Sequence, residues 1–138
     1  MSDRKPETVL VKDKYYIDKT KMLEKGIVQF PSIYIEGAAG SGKTSAVRLL
    51  LKKHSEVTAE VFWIDEESKN PERFLEKIEK LADRMKNEKI WAVFENMPAG
   101  KQWNCEGSVS SLIRHMPEEC RVLMTGREHP GSELLRLL

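Results

Sequence analysis

Four short apolar runs most constrain what this chain can fold into: Ile33-Tyr34-Ile35-Glu36, Val61-Phe62-Trp63-Ile64, Ile90-Trp91-Ala92-Val93-Phe94 and Arg121-Val122-Leu123-Met124-Thr125. Each reads as a strand bounded by polar or turn residues. The third does not alternate, as expected of a strand buried on both faces. Segments of helical spacing lie between them. Residues 43–54 carry Val47, Leu50 and Leu51 on one side. Asn70-Pro71 reads as a cap followed by proline at the first helical position, and Phe74, Leu75, Ile78, Leu81, Ala82 and Met85 then recur to about Lys86. A last segment, Ser110 to Met116, sets Leu112, Ile113 and Met116 inward. Regular alternation of strand and helix predicts an α/β fold, a parallel sheet flanked by helices on both faces.

Ahead of this core, residues 1–31 read as an N-terminal arm. It is polar and Lys-rich to residue 14, with Val9-Leu10-Val11 as its short apolar run. A short helix follows from Lys19 to Lys25, with Asp18 as its N-cap and Gly26 as its stop. Residues 32–138 form the core, read as partial. The final run, Leu134-Leu135-Arg136-Leu137-Leu138, looks like an uncovered apolar helix start. Exposed leucines forgo burial energy, so the run predicts truncation of a longer protein with further domains beyond. A docked C-terminal helix or a dimer contact is the alternative.

Composition narrows the function classes. The 23 Lys and Arg nearly balance 22 Asp and Glu, for a net charge of +1 over 138 residues. That balance argues against nucleic acid or anionic lipid as the main partner of these residues. No stretch approaches the ~18 apolar residues of a membrane span, and the N-terminus lacks an apolar signal core. Cys105 and Cys120 form no CxxC pair, and His54, His115 and His129 show no metal-ligand spacing. The expectation is a cytoplasmic domain with two free thiols, no membrane contact and no zinc.

The chemistry sits in Gly37-Ala38-Ala39-Gly40-Ser41-Gly42-Lys43-Thr44, an ungapped match to GxxxxGK(S/T) with an apolar strand before it and an amphipathic helix after it. This is the context of a P-loop. Its glycines let backbone N–H groups curl inward around phosphate oxygens, and the new helix adds its positive end. Lys43 is placed to reach the β- and γ-phosphates, and Thr44 to put its hydroxyl on Mg²⁺. The fold expectation sharpens to a P-loop NTPase of RecA/AAA-like type.

Glu95, closing the third strand, takes the Walker-B position, holding Mg²⁺ directly or through water. Asn96 stands where many ATPases keep a carboxylate to polarise the attacking water. An amide cannot accept that proton, so the expectation is slow hydrolysis, at most a weak ATPase. Arg127, after the fourth strand, is placed to contact the γ-phosphate and is read with Glu95 as catalytic. Asp65, at the second strand's tip, falls on the same carboxyl edge, either as a supporting acid or as a helix cap. Tyr16, flanked by Tyr15 and Ile17, is a candidate wall for adenine, with ordinary packing of the arm as the alternative. No guanine-reading NKxD is present.

These residues resemble a family. Tyr15-Tyr16-Ile17-Asp18-Lys19 through Leu23, then Glu36 through Thr44, look like the start of the MalT-like, LuxR-type transcriptional regulators. Val61 through Glu67, then Asn70-Pro71 and Phe74, are similar to that family's tryptophan strand and the helix after it. Thr125-Gly126-Arg127 resembles its strand-end arginine. The chain departs from the pattern at Glu95, at Asn96 and at Asp18-Lys19, where relatives have Asp, a second acid and Arg. The resemblance implies a signal-transduction ATPase with numerous domains (the STAND class). Its remainder would be more ATPase module, a helical-repeat inducer sensor and a C-terminal helix-turn-helix that binds DNA. The expected function is an ATP- or ADP-binding switch with Mg²⁺, controlling self-association of the parent protein. The alternative is a catalytic P-loop ATPase or kinase unrelated to transcription, although residues 97–107 hold no arginine for a kinase lid.

Overall fold

The computed structural model describes residues 8–12, 19–37, 43–98, 105–127, 131 and 134, with the side chains of 8–12, 19–22, 43 and 44 left aside. In chain order the elements are β1 (Thr8–Lys12), α1 (Lys19–Gln29), β2 (Ser32–Glu36), α2 (Lys43–Lys53), β3 (Thr58–Trp63), α3 (Ile64–Glu67), α4 (Pro71–Met85), β4 (Ile90–Glu95), α5 (Cys105–His115) and β5 (Arg121–Gly126). The five strands form one sheet, ordered β1-β2-β5-β4-β3, and every pairing is parallel. The expected α/β architecture is therefore present.

The order explains the layers. The chain runs in one direction across the sheet from β1 to β2 to β3, then returns through β4 to β5. Right-handed crossovers that reverse direction must place their helices on the opposite face. Accordingly α1 and α2 pack on one face, where Leu23, Ile27, Val47 and Leu50 meet Ile33, Ile35, Trp91, Val93 and Leu123. The helices α4 and α5 cover the other, where Phe74, Ile78, Leu112 and Ile113 meet Tyr34, Phe62, Phe94, Val122 and Met124. Alternate residues of β4 serve the two cores, which is why its sequence does not alternate. Phe62 and Phe94 stack at 5.0 Å, and Phe74 meets them edge-on at 6.3 and 6.2 Å, locking α4 to β3 and β4.

Several boundaries differ from the sequence expectations. Residues 8–12 form an edge strand pairing with β2, so the short apolar run of the arm is part of the sheet. Gly26 does not end α1, which runs on to Gln29 before Pro31. The glycine answers to packing instead, since a Cβ there would lie 2.9 Å from Ile33 Cδ1. Ile64 and Asp65 leave the strand and form the one-turn α3, with Ile64 buried. The last helix starts at Cys105 rather than Ser110. Leu75 is half exposed, because it falls off the buried stripe of α4. Leu134, expected in an uncovered run, is fully buried. Its segment is tied down by Glu106, whose carboxylate accepts from the Gly131 and Leu134 N–H groups at 2.8 and 3.4 Å. Leu135 to Leu138 lie outside the described residues. Both cysteines are buried free thiols, and burial pushes Cys105 up to about 12.

Two adjacent apolar residues of α4, one buried and one half exposed, give a contrast. Phe74→Ala should cost about 3–5 kcal/mol in urea titration. Leu75→Ala should stay within about 0.5 kcal/mol of wild type. Equal losses would contradict the assigned face of α4.

Candidate functional site

In a parallel sheet all carboxyl ends lie on one edge. The connection leaving β2 leads to α2 on one face, and the connection leaving β4 leads to α5 on the other. With β5 between these strands, its carboxyl tip is the point where the winding direction reverses, the usual ligand position in open α/β sheets. Gly37 follows β2 at this edge, and Lys43 opens α2.

The tip of β5 holds both neighbours. Gly37 N–H donates to the Gly126 carbonyl at 3.0 Å, and Met97 N–H donates to the Thr125 carbonyl at 2.8 Å. The Thr125 hydroxyl accepts from Asn96 N–H at 3.0 Å and donates to Glu95 Oε1 at 3.3 Å. Glu95 is only 2% exposed, and Trp63 is its register partner on β3. A carboxylate so buried needs donors around it, and the Thr125 hydroxyl supplies one. Gly126 is dictated by contact: a Cβ there would overlap the Tyr34 hydroxyl and sit 2.7 Å from Cζ of its ring.

Asn96 has a φ of 62°, in the left-handed region that asparagine tolerates better than most residues. From there its Nδ2 donates to Asp65 Oδ2 at 3.3 Å. Asp65 is exposed in the first turn of α3. Hydrogen bonds thus run Asp65–Asn96–Thr125–Glu95 across the ends of β3, β4 and β5. Arg127 directly follows β5 and is exposed.

Beside this edge, on the α2 face, lies a cavity of about 230 Å³. Val47, Arg48 and Leu51 of α2, Val61 and Trp63 of β3, and Glu95 are in its wall. It is smaller than the ~300–1,000 Å³ of ligand clefts. Among the described residues no three His, Cys, Asp or Glu side chains gather as a metal-binding group. No described helix is long and apolar enough to cross a membrane.

The structure brings together five residues marked by sequence, Gly37, Asp65, Glu95, Asn96 and Arg127, at neighbouring strand ends. Ala38, Ala39, Gly40, Ser41 and Gly42 lie outside the described residues, as do Tyr15, Tyr16 and Ile17. Lys43 and Thr44 are described as the first residues of α2 by backbone alone. Sequence reasoning missed the Thr125 bridge and the Asn96–Asp65 contact. A clue to the second was present, since asparagine at a strand end suits a left-handed turn. The chain matches no protein-family model and no curated protein.

The bridge can be tested by stability. Thr125→Val keeps the shape but orphans the Asn96 N–H and removes one donor to Glu95. A loss of about 1–3 kcal/mol in urea titration is expected. Thr125→Ser, which keeps the hydroxyl, should lose less. Wild-type stability in the valine variant would contradict the bridge.

Proposed function

We propose that this chain is an ATP-binding switch domain of P-loop type, binding ATP with Mg²⁺ and hydrolysing it slowly. The observation that carries the reading is that the GxxxxGK(S/T) run falls in the sequence between the end of β2 and the first turn of α2, with buried Glu95 two strands away. The residues suit such a ligand. Backbone N–H groups of 37–44 and the start of the 11-residue α2 offer donors to phosphate. Lys43 pairs with the β- and γ-phosphate oxygens. Thr44 and Glu95 provide oxygen donors, the set a hard cation prefers. When bound, Mg²⁺ neutralises charge on the phosphates. Arg127 is within the same edge and senses the γ-phosphate by its charge. Tyr16 is the candidate adenine contact.

A switch requires one state to bind ATP better than ADP. The γ-phosphate supplies the difference through Lys43, Thr44 and Arg127, and tenfold discrimination needs only about 1.4 kcal/mol. In a LuxR/MalT-like regulator this difference would control oligomerisation. DNA binding would belong to a separate C-terminal domain, which agrees with the +1 charge of the present residues.

Titration calorimetry with ATP and Mg²⁺ tests the site. Wild type should bind, and Lys43→Ala should lose about 30-fold or more, as expected for a charged partner worth ~2–5 kcal/mol. Equal affinity in the two proteins would overturn the assignment.

A further inference from the structure

We propose that Asp65 is the general base of hydrolysis, taking the proton of the water that attacks the γ-phosphate; this rests on the nucleotide-binding reading above. The residue after Glu95, where a base is commonly found, is Asn96, which has no proton-accepting oxygen of carboxylate strength. Yet its amide is not idle. The left-handed backbone of Asn96 and the Thr125 hydroxyl on its N–H set the residue, and its Nδ2 donates to Asp65 Oδ2 at 3.3 Å. Asn96 therefore holds a carboxylate from the neighbouring strand end toward β4.

The two acids of this chain of hydrogen bonds differ in environment, and the difference divides their roles. Glu95 is buried and bonded to Thr125, suited to a fixed charge beside the cation. Asp65 is exposed to water. Its position is firmly set on both sides. Ile64 before it is buried, and Glu67 after it is held by Lys77 of α4 at 2.8 and 2.9 Å. Glu66 is engaged by Lys69 at 3.0 Å. Of the three consecutive acids, Asp65 is the one joined to β4.

The step balances simply. The water oxygen bonds to the γ-phosphorus as the bond from that phosphorus to the β–γ bridging oxygen breaks. The electron pair leaves with ADP. The water proton passes to Asp65 Oδ1 and then to solvent. Asn96 is a positioning residue here, acting through Asp65.

The test compares wild type with Asp65→Asn and Asp65→Glu in the full chain. Calorimetry reads affinity for ATP with Mg²⁺, for ADP with Mg²⁺, and for ADP with Mg²⁺ and aluminium fluoride, which mimics the transferring phosphoryl group with water in line. Single-turnover hydrolysis is measured alongside. Asp65→Asn should bind ATP and ADP within about threefold of wild type. It should lose the added affinity for the fluoride complex and lose hydrolysis by about 10²–10⁴-fold. Asp65→Glu should recover part of both. A variant Asp65→Asn that keeps fluoride-complex affinity or hydrolysis overturns the role, as does a wild type that binds ATP without hydrolysing it. Absence of ATP binding in wild type overturns the nucleotide reading itself.

Discussion

The fold depends on β5 filling the centre of the sheet. It is the last of the described strands in sequence, yet β2 and β4 both pair with it. Its five residues from Val122 to Gly126 are buried. Without β5, the two strands that carry the glycine-rich run and Glu95 would have no common partner. Its tip then does a second job. The carbonyls of Thr125 and Gly126 and the Thr125 hydroxyl tie the chain leaving β4 and the chain leaving β2. The same strand thus completes the core and ties together the strand ends of the candidate site. Gly126 shows how tightly they are joined, since the site's edge passes directly over the buried Tyr34 ring.

Much of this was legible in the sequence because two periodicities carry most of the information. Ile90 to Phe94 announced a strand buried on both sides, and Phe74, Ile78, Leu81 and Met85 announced one face of a helix. The Asn70-Pro71 start was legible as well: Asn70 Oδ1 accepts from Arg73 N–H at 3.1 Å. What escaped were features set by tertiary contact. Thr8 to Lys12 lies in a polar, Lys-rich stretch and becomes a strand by pairing with β2. Gly26 looked like a helix stop and is instead a close-approach glycine inside α1. Leu134 looked uncovered because its partners, the α5 face and Glu106, are distant in sequence.

At the carboxyl edge the sequence marked residues one at a time, whereas their meaning lies in pairs. Asn96 as a single letter signals a missing base. Asn96 beside Asp65 is an amide that donates to the carboxylate of the neighbouring strand end. Thr125 as a single letter is an ordinary strand residue. Beneath Glu95 and Asn96 it is the hydroxyl that supplies a buried carboxylate with a donor and a left-handed residue with an acceptor. Such pairings come from strand order, because β3, β4 and β5 are adjacent only through the reversal of winding direction.

Amide hydrogen exchange with and without ATP and Mg²⁺ tests the central claim most directly, because the claim is that backbone N–H groups cradle a phosphate. Protection should concentrate in residues 37–44 and in the strand-end segments 95–97 and 125–127, and should be stronger with ATP than with ADP. Unchanged exchange in residues 37–44 at saturating ATP and Mg²⁺ would contradict the account.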